Sequence, residues 1–128
     1  MSLYKPTPFM GVATALVTPF LGGKIDFEAL AALIERQIAG DAHAILVAGT
    51  TGESATLSDD EHFALVSFAK EQIGGRLPLL AGCGSNSTAH AVHLAVQERG
   101  VLEREMAIVV DGEARSLSVR VQRAAAEG

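Results

Sequence analysis

Short apolar runs alternate with longer amphipathic segments through the first hundred residues of the chain. Residues 11–18, 44–48 and 77–81 are rich in small and β-branched side chains, which is typical of strands covered on both faces. Each run leads into a loop of small residues and then into a segment with apolar positions at helical spacing. The glycine pair within residues 21–24 predicts a loop. Strands that alternate with helices of this length predict an α/β fold with a parallel sheet.

Capping residues mark the ends of the predicted helices. Asp26 is the predicted N-cap of a first helix that ends at Gly40, where a left-handed residue is expected. Ser58 with Glu61 three places later predicts a capping box for a second helix. A third helix is predicted from about Thr88 to Arg99. The apolar positions assigned to the three helices are Phe27, Leu30, Leu33, Ile34 and Ile38; Phe63, Val66, Phe68, Ala69 and Ile73; and Ala91, Val92, Ala95 and Val96.

The alternation weakens in residues 98–128. Residues 106–110 fit a fourth parallel strand. They also fit the first arm of a β-hairpin over 106–121, because Asp111-Gly112 is a hairpin turn sequence and residues 116–122 alternate strictly between polar and apolar side chains. The charged residues at the start of this segment predict a solvated turn: Glu98, Arg99, Glu103, Arg104 and Glu105.

Composition narrows the class of protein. Of the 128 residues, 48% are apolar and 20% are charged, which excludes wholesale disorder. Fifteen acidic and ten basic side chains give a formal charge of -5, which argues against a nucleic-acid or anionic-membrane partner. No apolar run approaches the roughly 20 residues of a membrane span. Cys83 is the one cysteine and cannot form an internal disulfide, which favours a reducing, cytoplasmic location.

The loop after the second predicted strand is the candidate binding site. In parallel α/β folds, ligands bind at the carboxyl ends of strands, and Gly49-Thr50-Thr51-Gly52-Glu53 stands at such an end. Its glycines allow the backbone to curl around a small anion, and the hydroxyls of Thr50 and Thr51 add hydrogen-bonding groups. A carboxylate or a phosphate is the predicted ligand. The alternative is a tight turn in which Glu53 makes a structural hydrogen bond.

Three stretches of the sequence resemble one enzyme family. Residues 11–20, then Gly49-Thr50-Thr51-Gly52-Glu53-Ser54-Ala55-Thr56-Leu57 with Glu61-His62, then residues 81–86, have the spacing of the amino-terminal part of the dihydrodipicolinate synthases. The resemblance is continuous from about Phe9 to Gln97. Its double threonine favours these synthases within the wider class of pyruvate aldolases, which includes N-acetylneuraminate lyase and usually has serine then threonine at this place.

This resemblance implies a (β/α)8-barrel fold, of which residues 1–97 form the first three to four units and residues 98–128 a divergent β segment. It implies an enzyme of lysine biosynthesis that condenses pyruvate with aspartate semialdehyde through a lysine Schiff base, without a cofactor. A partial barrel exposes strand edges and an interior face, so we expect either a homo-oligomer or an edge-capping hairpin.

The resemblance also assigns roles to single residues. Thr50 and Thr51 match the threonine pair at the pyruvate carboxylate, and Thr50 would also relay protons. Asp59 and His90 stand where lysine-inhibited members often have a histidine and a glutamate, which argues against inhibition by lysine. Four residues match positions that line an allosteric pocket at a dimer interface in those members: Ser54, Ala55, His62 and Asn86.

No residue of the sequence matches the family's catalytic lysine. A Schiff-base amine needs an environment that lowers its pKa, and none of Lys5, Lys24 and Lys70 follows an apolar strand. Tyr4, the one tyrosine, precedes the first predicted strand, and the family's substrate-binding arginine is also unmatched. We therefore predict that the chain is inactive by itself.

The remaining reactive side chains have structural interpretations. Cys83 is interpreted as inert packing. His90 and His93 are three residues apart but lack a third ligand, so a solvated or interface face is favoured and no metal site is predicted. His62 is either a helix-surface residue or part of the interface pocket. His43 leads into a strand.

Three functions remain open. In the first, the chain is the carboxylate-binding part of a dihydrodipicolinate synthase, and other sequence supplies the rest of the barrel. Alternatively, it is a non-catalytic relative that acts as a small-anion-binding or oligomerisation module. A third possibility is a change of reading frame, so that the residues after Gln97 are foreign to the family.

Overall fold

The computed structural model describes residues 9–101 and 108–109. Four of its strands form a parallel sheet in the order β1-β4-β5-β6, and two short strands form an antiparallel pair, β2 with β3. This arrangement confirms the predicted α/β fold. In chain order the elements are β1 (Ala13–Ala15), β2 (Phe20–Leu21), β3 (Lys24–Ile25), α1 (Phe27–Ala39), β4 (Ala44–Val47), a 3-10 turn (Ser54–Thr56), α2 (Asp59–Ile73), β5 (Leu79–Gly82), α3 (Thr88–Val101) and β6 (Ile108–Val109).

Alternate residues of the parallel strands face the helices. Ile45 on β4 lies beside Thr14 on β1 and Leu79 on β5, and Val47 lies beside Ala81. Because partners in a parallel register share a face, these positions lie together beneath α1 and α2 and, apart from Thr14, form one apolar layer. The buried residues of this core are Leu16, Leu30, Ile34, Ile45, Val47, Ala48, Leu65, Val66, Ala69, Ile73, Leu79 and Ala81.

The predicted helix caps are present, with one correction. Asp26 Oδ1 accepts a hydrogen bond from the Ala29 N–H at 3.0 Å, and Ser58 and Glu61 form the reciprocal capping box. Gly40 was expected in the left-handed region, but its φ is -85°. The next residue, Asp41, has the positive φ of 60° instead, and an aspartate tolerates this conformation better than most residues.

The predicted loop at residues 21–24 is a tight hairpin. Phe20 pairs with Ile25 and Leu21 with Lys24, while Gly22 and Gly23 make the turn at φ values of 61° and 78°. Two consecutive residues at positive φ are what a two-residue hairpin turn needs, so the glycine pair was the signal for these strands.

The apolar face of α2 is buried as predicted at Val66, Ala69 and Ile73, whereas the buried face of α3 differs from the predicted one. Phe63 is exposed while Leu65 is buried on α2, and on α3 Leu94 is buried while Val92 and Val96 are exposed. The sequence offered apolar residues on two sides of each helix, and only contact with the sheet and the neighbouring helix selects one side.

The strand predicted within residues 106–110 is present as β6. It pairs in parallel with β5 through Ala81 with Ile108 and Gly82 with Val109, which confirms the parallel-strand interpretation for these residues. The second arm of the alternative hairpin, up to residue 121, lies outside the described residues. No helix in the described part of the chain is long and apolar enough to cross a membrane.

Replacement of Gly82 by Ala tests how closely the strand ends pack. A Cβ at this position would overlap the backbone carbonyl oxygen of Ala48, which cannot move without shifting β4. We expect Gly82→Ala to lower the free energy of unfolding in urea by about 1–3 kcal/mol, the usual cost of overpacking.

Gly49→Ala is the matched control, since its added Cβ meets only the Leu46 side chain, at 3.2 Å. This side chain can adjust its rotamer, so the control variant should lose less than half as much stability as Gly82→Ala. Equal losses for the two variants would contradict the close backbone approach at Gly82.

Candidate functional site

The carboxyl ends of β1, β4 and β5 meet at one edge of the sheet. Thr18, just after β1, is buried and donates its hydroxyl to the Gly52 carbonyl oxygen at 2.7 Å, which ties the first loop to the second. A Cβ on Gly52 would lie 3.1 Å from Thr18 Oγ1 and 3.2 Å from the Leu16 carbonyl oxygen. The loop after β4 therefore follows the end of β1 closely, and a side chain at position 52 would crowd this contact.

The threonine pair lies on a tight turn at this edge. The Gly52 N–H donates to the Gly49 carbonyl oxygen at 3.1 Å, and the Glu53 N–H donates to the Thr50 carbonyl oxygen at 3.0 Å. Both Thr50 and Thr51 are exposed, so their hydroxyls are accessible to a ligand. The turn expected in the alternative interpretation is thus present, while Glu53 makes no side-chain capping bond to the 3-10 turn that follows.

Two residues of this loop have left-handed backbone conformations without being glycine. Ala48 has φ 55° and Glu53 has φ 59°, at the two ends of the turn. Such conformations cost on the order of 1–3 kcal/mol each and persist where the surrounding structure enforces them. The backbone of the turn is therefore held in one shape by its neighbours.

A buried polar cluster links the end of β5 to both following helices. His62 on α2 is 2% exposed, and its Nε2 and Nδ1 lie 2.7 Å from the Gly82 carbonyl oxygen and 2.7 Å from Glu98 Oε1, respectively. Glu98 on α3 is 0% exposed, and its second oxygen has no partner among the described residues. The helix-surface interpretation of His62 is therefore wrong, and so is the solvated turn predicted at Glu98.

Burial and charge set the ionisation of this cluster. Burial by itself lowers the pKa of His62, but the hydrogen bond and the charge of Glu98, with the Gly82 carbonyl, outweigh it and raise the pKa above the ordinary 6.5. Burial, with a smaller effect of Glu98, raises the pKa of the Cys83 thiol to about 12. Cys83 thus stays a protonated thiol near neutral pH, in agreement with inert packing.

A second polar cluster joins the beginning of α2 to the beginning of α3. His90 Nε2 lies 2.7 Å from Asp59 Oδ1, His90 Nδ1 lies 2.8 Å from Ser85 Oγ, and His93 Nε2 lies 3.6 Å from Asp59 Oδ2. The hydrogen bond with His90 holds the pKa of Asp59 below its usual value, with help from the charges of the nearby histidines. The face carrying His90 and His93 is therefore half-exposed and makes polar contacts to α2.

The other sequence-predicted residues are spread along the same edge. Ser54 and Ala55 lie in the 3-10 turn before α2, and Asn86 lies exposed in the loop before α3. The hydrogen bonds of His62 go to β5 and α3 rather than to these three residues. Whether the four residues form a ligand pocket stays a prediction.

Sequence reasoning missed Glu98 as a partner of His62. The signal was present in the spacing, because Ala91, Leu94 and Glu98 recur at helical intervals and Leu94 is buried. A carboxylate on the buried side of a helix needs a buried partner, and a histidine on the neighbouring helix is suited to that role. No group of three or more His, Cys, Asp and Glu side chains within residues 9–101 and 108–109 is arranged to hold a metal ion.

Neither of the two lysines that the structure describes directly follows a strand of the parallel sheet. Lys24 lies on the β2–β3 hairpin, Lys70 is exposed on α2, and Lys5 and Tyr4 lie outside the described residues. The parallel sheet with helices on its face and a glycine–threonine turn at its carboxyl edge define a part of a β/α-barrel protein.

Comparison with known proteins agrees with this class. The sequence model of the Dihydrodipicolinate synthetase family matches residues 8–102. Over 102 residues the chain is 48% identical to the 4-hydroxy-tetrahydrodipicolinate synthase of Phenylobacterium zucineum, covering 80% of this chain and 34% of that protein. The crystal structure of dihydrodipicolinate synthase from Aquifex aeolicus superposes with a TM-score of 0.74 at 42% identity, covering 81% of this chain and 36% of that one.

A more distant structure carries a ligand. A prophage protein of Escherichia coli K12 that belongs to the dihydrodipicolinic acid synthase family, solved in complex with pyruvate, superposes with a TM-score of 0.73 at 27% identity, over 78% of this chain and 33% of its own. This chain belongs to the Dihydrodipicolinate synthetase family. It spans about a third of the length of the relatives it matches.

The buried His62–Glu98 pair yields a prediction about stability. Removing one partner of a buried pair costs about 3–5 kcal/mol, because the other partner stays buried without compensation, whereas replacing both costs much less. We therefore expect His62→Leu to lower the free energy of unfolding by that amount, and the double variant His62→Leu/Glu98→Met to recover a large part of the loss in urea titrations.

The same pair gives a pH dependence. Because the folded-state pKa of His62 is raised, its contribution to stability is full below 6.5 and is lost as the pH rises through the folded value. Glu98→Gln should abolish this loss, and the exposed control His93→Leu should keep it, with a change in stability of less than about 1 kcal/mol. A His62→Leu variant no less stable than the control would contradict the role of the pair.

Proposed function

We propose that this chain supplies the pyruvate-carboxylate site of a 4-hydroxy-tetrahydrodipicolinate synthase, a lyase of lysine biosynthesis that condenses pyruvate with aspartate semialdehyde. The observation that carries the proposal is the turn after β4. Its exposed threonine pair stands at the carboxyl edge of a parallel sheet, where β/α barrels bind substrates. On this basis we also propose a cytoplasmic location.

The proposed roles of the threonines follow from their chemistry. A carboxylate accepts hydrogen bonds only, and each hydroxyl of Thr50 and Thr51 is a donor on a turn that the buried Thr18–Gly52 hydrogen bond holds in place. A rigid turn does not have to be ordered when the ligand binds, which favours affinity. Thr50 is in addition the proposed proton relay of the condensation.

Turnover needs an amine that this sequence does not offer. Lys24 is exposed on the β2–β3 hairpin and Lys70 is exposed on α2, whereas a Schiff-base lysine requires burial or a neighbouring charge that lowers its pKa. We propose that the lysine comes from further barrel sequence, so that the chain by itself binds pyruvate reversibly and without covalent capture.

Pyruvate binding is tested on the full chain by NMR titration with ¹³C-labelled pyruvate. We expect millimolar binding that Thr51→Val weakens at least about fivefold, because one hydrogen bond to a charged group contributes roughly 1.5–3 kcal/mol. Thr88→Val, an exposed threonine at the start of α3, is the control and should bind as the unaltered chain does. Equal affinity for all three proteins would contradict the role of the threonine pair.

Covalent capture is a separate readout of the same experiment. Borohydride is added in the presence of pyruvate and the intact mass is measured. We expect no stable pyruvate adduct on the chain alone. An adduct would show that one of its own lysines forms the Schiff base, and peptide mapping would identify that lysine.

A second candidate function, an oligomerisation module, is favoured by the exposed sheet face. Ala13, Ala15 and Val17 point away from the helices and are exposed, while Leu16 and Thr18 at the alternate positions are buried. β1 also ends the four-stranded sheet with an unpaired edge in the described structure. Such edges and apolar faces pair with further chain, so we propose that the protein assembles as a homo-oligomer.

Self-association is tested by light scattering on a size-exclusion column over a range of concentrations. We expect oligomers that Val17→Glu dissociates, because the charge would be buried in the assembly. Val92→Glu is the matched control: Val92 is 57% exposed on α3, against 51% for Val17. A monomer at every concentration, or equal effects of the two variants, would overturn the proposal.

A further inference from the structure

Ser85, His90 and Asp59 form a continuous chain of side-chain contacts beside the end of β5. Ser85 Oγ lies 2.8 Å from His90 Nδ1, and His90 Nε2 lies 2.7 Å from Asp59 Oδ1. These residues come from the loop after β5, from α3 and from the first residue of α2, so only the tertiary structure brings them together. They are separate from the threonine turn and from the buried His62–Glu98 pair.

The distances are compatible with the neutral histidine that an activated serine needs. In the tautomer with its proton on Nε2, neutral His90 donates to the Asp59 carboxylate, and Nδ1 accepts the hydroxyl proton of Ser85. In an activated serine nucleophile, the hydroxyl is hydrogen-bonded to a base, and a carboxylate orients that base. The arrangement is recognised by the geometry of the three side chains and not by their order in the sequence.

The surroundings favour negative charge on the serine oxygen. The Ser87 N–H donates to Ser85 Oγ at 3.2 Å, and Ser87 caps α3 by accepting the His90 N–H at 3.3 Å. The positive end of the α3 dipole therefore faces the same place. An alkoxide at Ser85, and the oxyanion formed when it attacks a carbonyl group, would both be stabilised there.

We propose that Ser85, His90 and Asp59 are an acyl-transfer site that hydrolyses small activated carboxylic esters. Ser85 Oγ attacks the ester carbonyl carbon and passes its proton to His90 Nδ1. The alcohol then leaves with its bonding electron pair and takes this proton. Water next attacks the acyl-serine, with His90 again accepting a proton and returning it to Ser85 Oγ, so that ester and water give acid and alcohol. Asp59 is the positioning residue that orients the imidazole.

The site is half-exposed, which limits the substrates it can take. The side chains of His90 and Asp59 are both 42% exposed. Water therefore competes for the hydrogen bonds, and we expect slow reaction with small acyl groups. His93 brings a second imidazole to the same carboxylate, with its Nε2 3.6 Å from Asp59 Oδ2.

The test uses the full chain and two probes. A fluorophosphonate reacts with an activated serine by forming an oxygen–phosphorus bond with loss of fluoride, and the mass increase is mapped by peptide digestion. 4-Nitrophenyl acetate reports acyl transfer by the release of nitrophenolate. We expect labelling at Ser85, a complete loss in Ser85→Ala, and about 100-fold slower reaction in His90→Gln, the usual contribution of a general base.

The controls separate activation from a structural link between the helices. Asp59→Asn keeps the shape but removes the charge, and should slow both reactions at least about tenfold. Thr88→Val changes an exposed residue at the start of α3 that lies outside the cluster, and should react within about twofold of the unaltered chain. Circular dichroism verifies that each variant is folded.

Two results would overturn the proposal and leave the cluster as a structural link between α2 and α3. One is labelling of Ser85 no faster than in the urea-unfolded chain. The other is a labelling rate that His90→Gln does not change in a folded variant. These readouts involve no pyruvate, so they are independent of the threonine turn.

Discussion

The close approach of three backbone segments at the carboxyl edge of the sheet is the constraint on which the rest of the structure depends. Gly82 passes the Ala48 carbonyl oxygen with no room for a side chain, and Gly52 lies against Thr18 and Leu16. Because these contacts involve main-chain atoms, they fix the relative positions of β1, β4 and β5 where their loops begin. The loops that carry the threonine pair and Ser85 therefore start from a rigid edge, which is what a binding site needs.

The buried polar cluster extends this rigidity to the helices. His62 connects the last carbonyl of β5 to Glu98, so α2, α3 and the sheet share one set of hydrogen bonds. Hydrogen bonds are directional and therefore favour one arrangement of the helices. The apolar contacts around them allow several packings of similar energy. The cluster thus orients α3, whose first turn carries His90.

The chain spans about a third of the length of the relatives it matches, and one part of its sheet is exposed. Val17 and the alanines of β1 lie on the face that a complete barrel encloses, while the opposite face is covered by α1 and α2. On this face only the β1 side is exposed, because Ala44 and Leu80 on the neighbouring strands are buried.

Local signals in the sequence determined the element order, the parallel sheet and most caps. Asp26, Ser58 and Glu61 act through contacts within three residues, and the threonine turn follows its strand directly, so short-range chemistry predicted them. The family resemblance added the barrel class. By contrast, the buried side of α3, the pairing of His62 with Glu98, and the contact of Asp59 with His90 needed the tertiary structure. These partners are 31 to 36 residues apart, and only the packing of one helix against another decides which side chains meet.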